Sequence, residues 1–261
     1  MSGRKRKSLT KPHGASPWLY GHHAVAAALA NPARVCRRLL VTKAARDRLA
    51  NAASALAERS EPRLEVVERA MIEARLPPGA VHQGVAIEVA PLVPPSLDEA
   101  CAPTHGGDGD RDIVVVLDQV TDPRNVGAAL RAAAAFGTRT VILPARHAPP
   151  ESGALAKAAS GALDLVALTR VVNLARALGD LKDMGYWCVG LDAEAEATPE
   201  AIPASVPLAL VLGAEGAGLR RLTRERCDLL VRLPMTGAVA SLNVAAATAV
   251  ALYAVTARAS D

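Results

Sequence analysis

The run Ile113-Val-Val-Val-Leu-Asp118 carries no polar side chain until its last position. A strand with one face in water alternates apolar and polar residues. A strand that is apolar throughout is buried on both faces, as in a parallel sheet covered by helices. The sequence after it fits that reading: Thr121-Asp122-Pro123 offers an N-cap and a proline at the first helical position, and Gly137 ends the helix. The alternation then continues. Strands are predicted at 140–143, 165–168, 186–191, 208–212 and 229–233, with helices at 151–160, 173–184, 219–226 and 241–257. Strands alternating with helices specify an α/β fold whose ligand sites lie at the carboxyl ends of the strands.

The front of the chain reads as a separate small unit, residues 17–92, with helices at 20–31, 43–59 and 68–75 and strands at 36–42, 63–67 and 84–89. Residues 93–111 concentrate Pro, Gly and Asp and read as a linker, leaving 112–261 as the second domain. Residues 1–16 have no apolar segment and read as a disordered arm, not a secretory signal. Five of the 30 basic residues (Arg4, Lys5, Arg6, Lys7, Lys11) fall in that arm with no acid. The rest of the chain, 25 basic against 26 acidic, is close to neutral, so a basic tail rather than a basic body carries the net charge. Cys36, Cys101, Cys188 and Cys227 have no paired spacing, which points away from disulfides and zinc and towards a reducing, cytoplasmic setting.

From Thr236 to Ala257 no residue is charged, long enough to raise the question of a membrane span. The stretch is mostly Ala and is broken by Ser241, Asn243, Thr248 and Thr256, so it is expected to be a buried or interface helix, with no membrane partner. With one Phe, two Trp and three Tyr, the core is built from Ala, Val and Leu, and a protein that stacks bases on many aromatic platforms is disfavoured. Gly213–Gly218 reads G-A-E-G-A-G and comes late in the chain, which does not fit a dinucleotide fingerprint. There is no G-K-[ST] and no G-x-S-x-G, and His22-His23 lacks the spacing of a metal helix, so no metal is expected.

Three loops that follow predicted strands are unusually polar or glycine-rich. In context they read VTDPRNVGAALRAAAAFG, LVLGAEGAGLRRLTRERCD and LPMTGAVASLNVAAATAVALY. In that order and separation they resemble the three motifs of the SpoU (TrmH-like) family of RNA ribose 2′-O-methyltransferases, in the SPOUT superfamily. The stretches YGHHAVAAAL and GAVHQGVAIEV (Gly79–Val89) resemble the ribosomal protein L30-like substrate-binding domain of the two-domain members.

The resemblance implies an α/β SPOUT domain with a deep trefoil knot, preceded by a small L30-like αβ domain. It implies S-adenosyl-L-methionine as cofactor, a homodimer, and methylation of a ribose 2′-hydroxyl. A guanosine of 23S ribosomal RNA is the leading substrate; transfer RNA, or a non-catalytic RNA-binding role, is the alternative. It assigns Asn125, Arg131, Glu215, Ser241 and Asn243 to catalysis. Gly213, Gly216, Leu233, Met235 and Leu242 are expected at the cofactor, where glycines allow close backbone approach. Arg131 is read either as a base or as a phosphate clamp, the second because a guanidinium keeps its proton. Each residue also has a plainer reading. Asn125 sits in a first helical turn where it can bond backbone amides, Ser241 can be the last helix's N-cap, and Glu215 can accept from nearby arginines. Arg34, Arg37, Arg38 and Lys43, with Arg46 and Arg48 and only Asp47 opposing, form either a solvated face or a set of RNA phosphate contacts.

Overall fold

The structure, a computed structural model, describes residues 16–46, 62–102, 111–238 and 241–257. The basic arm at 1–11, Asp47, Arg48 and the rest of the predicted helix beyond Arg46 lie outside the described residues.

The front unit holds a four-stranded sheet: β1 (Trp18–Tyr20), β2 (Cys36–Val41), β3 (Arg63–Val66) and β4 (Val85–Val89), in the order β1-β4-β2-β3. β4 pairs antiparallel with both β1 and β2, and β2 pairs parallel with β3. Helices α1 (His22–Ala30), α2 (Lys43–Arg46) and α3 (Arg69–Glu73) accompany it. β1 is absent from the sequence reading, because three residues are too few for an alternation to show. A short helix, α4 (Leu97–Ala100), closed by a Ser96/Glu99 capping box, interrupts the stretch read as linker.

The second unit is built on a six-stranded, all-parallel sheet. Its strands are β5 (Ile113–Asp118), β6 (Thr140–Pro144), β7 (Ala167–Val171), β8 (Trp187–Leu191), β9 (Leu208–Gly213) and β10 (Leu229–Val231), in the order β10-β8-β9-β5-β6-β7. Every residue of β5 is buried, as its unbroken apolar run requires. Between and after the strands lie α5 (Pro123–Ala135), α6 (Gly153–Ala159), α7 (Leu174–Asp183), α8 (Arg221–Arg226) and α9 (Val244–Thr256). α5 starts where the sequence reading placed it: Asp122 caps the Arg124 amide at 2.7 Å and Pro123 follows.

β7 begins two residues later than its apolar pattern suggested. A 3₁₀ turn at Ala162–Asp164 uses that apolar stretch to bury Ala162 and Leu163, leaving Leu165 exposed. The uncharged C-terminal stretch becomes α9, of 13 residues; among the described residues no helix is long and apolar enough to cross a membrane. α9 lies along α5, with the Tyr253 and Phe136 rings edge to face at 6.4 Å.

Candidate active site

In the second sheet β5 and β9 are neighbours, although the chain visits β6, β7 and β8 between them. Their ends pair Asp118 with Gly213. From that point the two loops diverge, which makes a crevice at the carboxyl edge of the sheet.

Local chemistry shapes the loop after β9. A Cβ on Gly213 would overlap the carbonyl of Gly218 and the amide of Leu219, so only glycine lets the loop fold back on its own start. The Gly218 amide donates to the Ala214 carbonyl at 2.9 Å. The loop's far end is held by the buried Asp118 carboxylate, which accepts from the Arg220 amide (3.1 Å) and guanidinium (2.7 Å). Glu215 is left exposed at the tip.

Three polar side chains from three distant stretches meet there. Glu215 Oε1 accepts from Asn125 Nδ2 (2.9 Å), Asn243 Nδ2 (2.6 Å) and the Val244 amide (3.4 Å). Asn243 Nδ2 also donates to Asn125 Oδ1 at 3.0 Å. Asn243 Oδ1 accepts from the Ala245 amide (2.9 Å), which fixes which end of its amide faces Glu215. Asn243, not Ser241, is therefore the N-cap of α9. Glu215 Oε2 accepts no hydrogen bond from the described residues and remains available to a ligand.

Beside this trio lies a cavity of about 460 Å³, within the usual range for small-molecule sites. It is lined by Gly213, Gly216, Leu233, Met235 and Leu242, all five residues expected at a cofactor, and by Glu215 and Ser241. Met235 and Leu242 are large apolar side chains left about 40% exposed (41% and 39%), apolar surface available to a ligand. Among the lining residues that the sequence did not single out is Asp192, whose carboxylate pairs with Arg224 at 3.0 Å. The available signal was its position just past the carboxyl end of β8. Among the described residues no group of three or more His, Cys, Asp or Glu is arranged to hold a metal.

Arg131 is not drawn into this cluster. It lies on the exposed stripe of α5 with Arg124 and Ala135, and makes no hydrogen bond or ion pair with any described residue.

The four basic residues expected at RNA separate into different environments. Arg34 is a correction: it is buried, with no exposed side-chain surface, and ion-paired to Glu151 and Asp164 of the second unit, so it cannot reach a phosphate. Burial opposes its charge, but hydrogen bonds and attraction from Asp164 and Glu151 outweigh that and hold its pKa above the ordinary value. Arg38 bonds Glu65 through two nitrogens (2.9 and 3.1 Å) and lies over the Trp18 ring; its bond holds the Glu65 carboxyl below the usual range. Arg37 is exposed at the point where the β2–β4 register shifts, and Lys43 is exposed at the start of α2.

Comparison with known proteins finds matches over both units. Residues 112–253 match the SpoU rRNA Methylase family, and residues 18–95 match the family described as RNA 2′-O ribose methyltransferase substrate binding. A protein of Nitrosomonas europaea named 23S rRNA (guanosine-2′-O-)-methyltransferase RlmB is 39% identical over 238 residues, covering 91% of this chain and 90% of that protein. The protein of the same name from Pseudomonas aeruginosa is 39% identical over 255 residues, covering 91% and 96%. In fold, the chain resembles the SpoU methyltransferase AviRb from Streptomyces viridochromogenes, solved in complex with AdoMet (TM-score 0.75, 22% identity, 94% of this chain and 90% of that one).

Proposed function

The chain belongs to the SpoU rRNA methylase family, and from that premise we propose that it transfers a methyl group from S-adenosyl-L-methionine to a ribose 2′-hydroxyl of RNA, a guanosine of 23S ribosomal RNA. The observation that carries this reading is the convergence of Asn125, Glu215 and Asn243 beside a glycine-cradled cavity. The name of these relatives, 23S rRNA (guanosine-2′-O-)-methyltransferase, supports the substrate.

The cavity suits the cofactor: Gly213 lets the glycine-rich loop fold back to line it, and apolar Met235 and Leu242 can cover a ligand's apolar part. Gly213, Gly216, Leu233, Met235 and Leu242 would hold it. When bound, S-adenosyl-L-methionine supplies an electrophilic methyl group and leaves as a neutral thioether, so the leaving side needs no acid. The protein's task is then to present the ribose oxygen in line and to take its proton. Asn125 and Asn243 fix the Glu215 carboxylate by occupying one oxygen. The other accepts the 2′-hydroxyl proton as the oxygen–carbon bond forms. Arg131 acts as a charged clamp on the adjoining phosphate and lowers the hydroxyl's pKa, because a guanidinium does not give up its proton near neutrality.

Arg131 and the trio are brought together across a homodimer. This is supported by the exposed guanidinium on α5, which has no partner among the described residues, and by Val250 (44% exposed) and Tyr253 (63%) on the neighbouring helix α9. The knot that the resemblance implies belongs to the same reading, as do exposed Arg37 and Lys43 as phosphate contacts and a cytoplasmic location beside the ribosomal RNA.

The test is to incubate the protein with tritiated methyl donor and protein-free 23S ribosomal RNA or total transfer RNA, and to map the label. Label on one guanosine ribose of the 23S RNA is expected; label confined to transfer RNA, or to a base, overturns the substrate or the chemistry. Mixing Arg131→Ala with Glu215→Gln subunits should restore activity that neither homodimer has. No restoration would place Arg131 outside the partner's site.

A further inference from the structure

The two units are joined by more than the chain between them. Arg34, in the turn between α1 and β2, donates through Nε to Asp164 Oδ1 at 2.7 Å and through Nη1 to Glu151 Oε1 and to the Ala90 carbonyl (3.2 Å). Glu151 precedes α6 and Asp164 ends the 3₁₀ turn after it, so both acids belong to the methyltransferase unit. Their remaining capacity closes the same junction. Glu151 Oε2 accepts from the Leu92 amide (3.1 Å), where the linker begins, and Asp164 Oδ1 accepts from Asn31 Nδ2 (3.1 Å). The side chains of Arg34, Glu151 and Asp164 are 0%, 11% and 1% exposed.

Apolar packing surrounds this node. One hydrophobic cluster runs without a break from Leu19, Val25 and Ile87 of the small unit to Leu155, Leu163 and Val115 of the large one. A Cβ on Gly153 would overlap the Tyr20 ring and the Trp18 carbonyl, so β1 and α6 touch backbone to ring. Apolar contact is non-directional and tolerates sliding. A buried guanidinium between two carboxylates is directional, because any rotation leaves a charge without a partner in a low-dielectric interior.

We propose that Arg34 is a positioning residue: with Glu151 and Asp164 it fixes the orientation of the small unit on the methyltransferase unit, so that RNA bound by the small unit meets the Glu215 cluster at one set distance. The second half of that statement rests on the functional reading above; the first does not.

The experiment uses the full chain carrying spin labels at Met71→Cys and Val172→Cys, two exposed positions in different units. All labelled chains also carry Cys227→Ser, since Cys227 is the partly exposed native thiol while Cys36, Cys101 and Cys188 are buried. Distance distributions by double electron–electron resonance are compared for the parent, Arg34→Met and the triple variant Arg34→Met/Glu151→Met/Asp164→Leu. The triple variant removes all three charges together and so retains the fold even if the single one does not. With labelled chain diluted into excess unlabelled chain, so that only distances within one subunit are read, a single narrow distance is expected in the parent and a broad distribution in the triple variant. With 23S RNA as substrate, KM is expected to rise about tenfold in that variant while kcat and cofactor affinity stay within about threefold, a split that general destabilisation would not produce. A narrow distance in the triple variant, or an unchanged KM beside a broad one, overturns the proposal. Absence of methylation by the parent would strike the functional reading alone, since the distance measurement does not depend on it.

Discussion

Glu215 and Arg34 are each the centre of a small polar network drawn from three separate parts of the chain, yet one network is open to solvent and the other is sealed. Glu215 and Asn243 are exposed and Asn125 is half-buried, and one Glu215 carboxylate oxygen has no partner among the described residues. Around Arg34 the charged groups are buried and paired with one another through Nε and Nη1, while Nη2 has no partner among the described residues. An exposed network contributes little to stability, because water competes for every bond it makes. A sealed one is costly to break, because whatever remains is a charge or dipole without water. The same chemical vocabulary therefore serves reaction in one place and geometry in the other, and burial decides which.

The comparison is broken most forcefully by truncating the sealed centre. Arg34→Ala strands Glu151 and Asp164 in the interior and should cost about 3–5 kcal/mol of stability, read by denaturant unfolding. A loss below about 1 kcal/mol would mean that water reaches the junction and that the network is not sealed. The open centre should respond in the opposite way. Glu215→Gln is expected to lower methyl transfer by about 10²–10³-fold, as for loss of one aligned charged group, with the unfolding midpoint unchanged. A large fall in stability there would make Glu215 a structural acceptor, one of the plainer readings its sequence allows.

Between these extremes sits Gly213. An Ala Cβ at this position has only the backbone of Gly218 and Leu219 to push against, and backbone cannot swing aside as a flexible side chain can. Gly213→Ala should cost about 1–3 kcal/mol and weaken cofactor binding by calorimetry, because the loop carries both Glu215 and part of the cavity lining. Unaltered affinity would separate the cavity from the cofactor.

How much of each network could be read from the sequence follows from the same contrast. Asn125, Glu215 and Asn243 each stand in a loop or first helical turn beyond a predicted strand. Their order matches a family's motifs, so they were legible before any coordinates. Arg34 was not. It sits in a run with Arg37 and Arg38 that reads as a solvated basic face, and its acidic partners lie 117 and 130 positions away. Nothing local marks one arginine of three as buried. β1 escaped for a different reason: Trp18–Tyr20 gains its strand conformation from pairing with β4, not from any pattern of its own. Asp192 was missed because its value to the cavity comes from β8 lying beside β9, a topological fact rather than a local one.

The smallest expected effect sharpens the comparison within a single residue. Asn243 belongs to the open network through Nδ2 and to the fold through Oδ1, which caps α9. Asn243→Ala removes both and should cost about 1 kcal/mol of stability as well as activity. Asn243→Ser keeps an oxygen for the Ala245 amide but offers Glu215 no amide donor, so stability should stay within about 0.5 kcal/mol of the parent while methyl transfer falls with the alanine variant. Ser241→Ala provides the contrast. Ser241 was the sequence's own choice of cap, but the helix starts two residues later, so stability should not respond to its loss. If Ser241→Ala destabilised the protein and Asn243→Ala did not, α9 would begin earlier than Val244, and Asn243 would lie inside the helix with its amide turned away from Glu215.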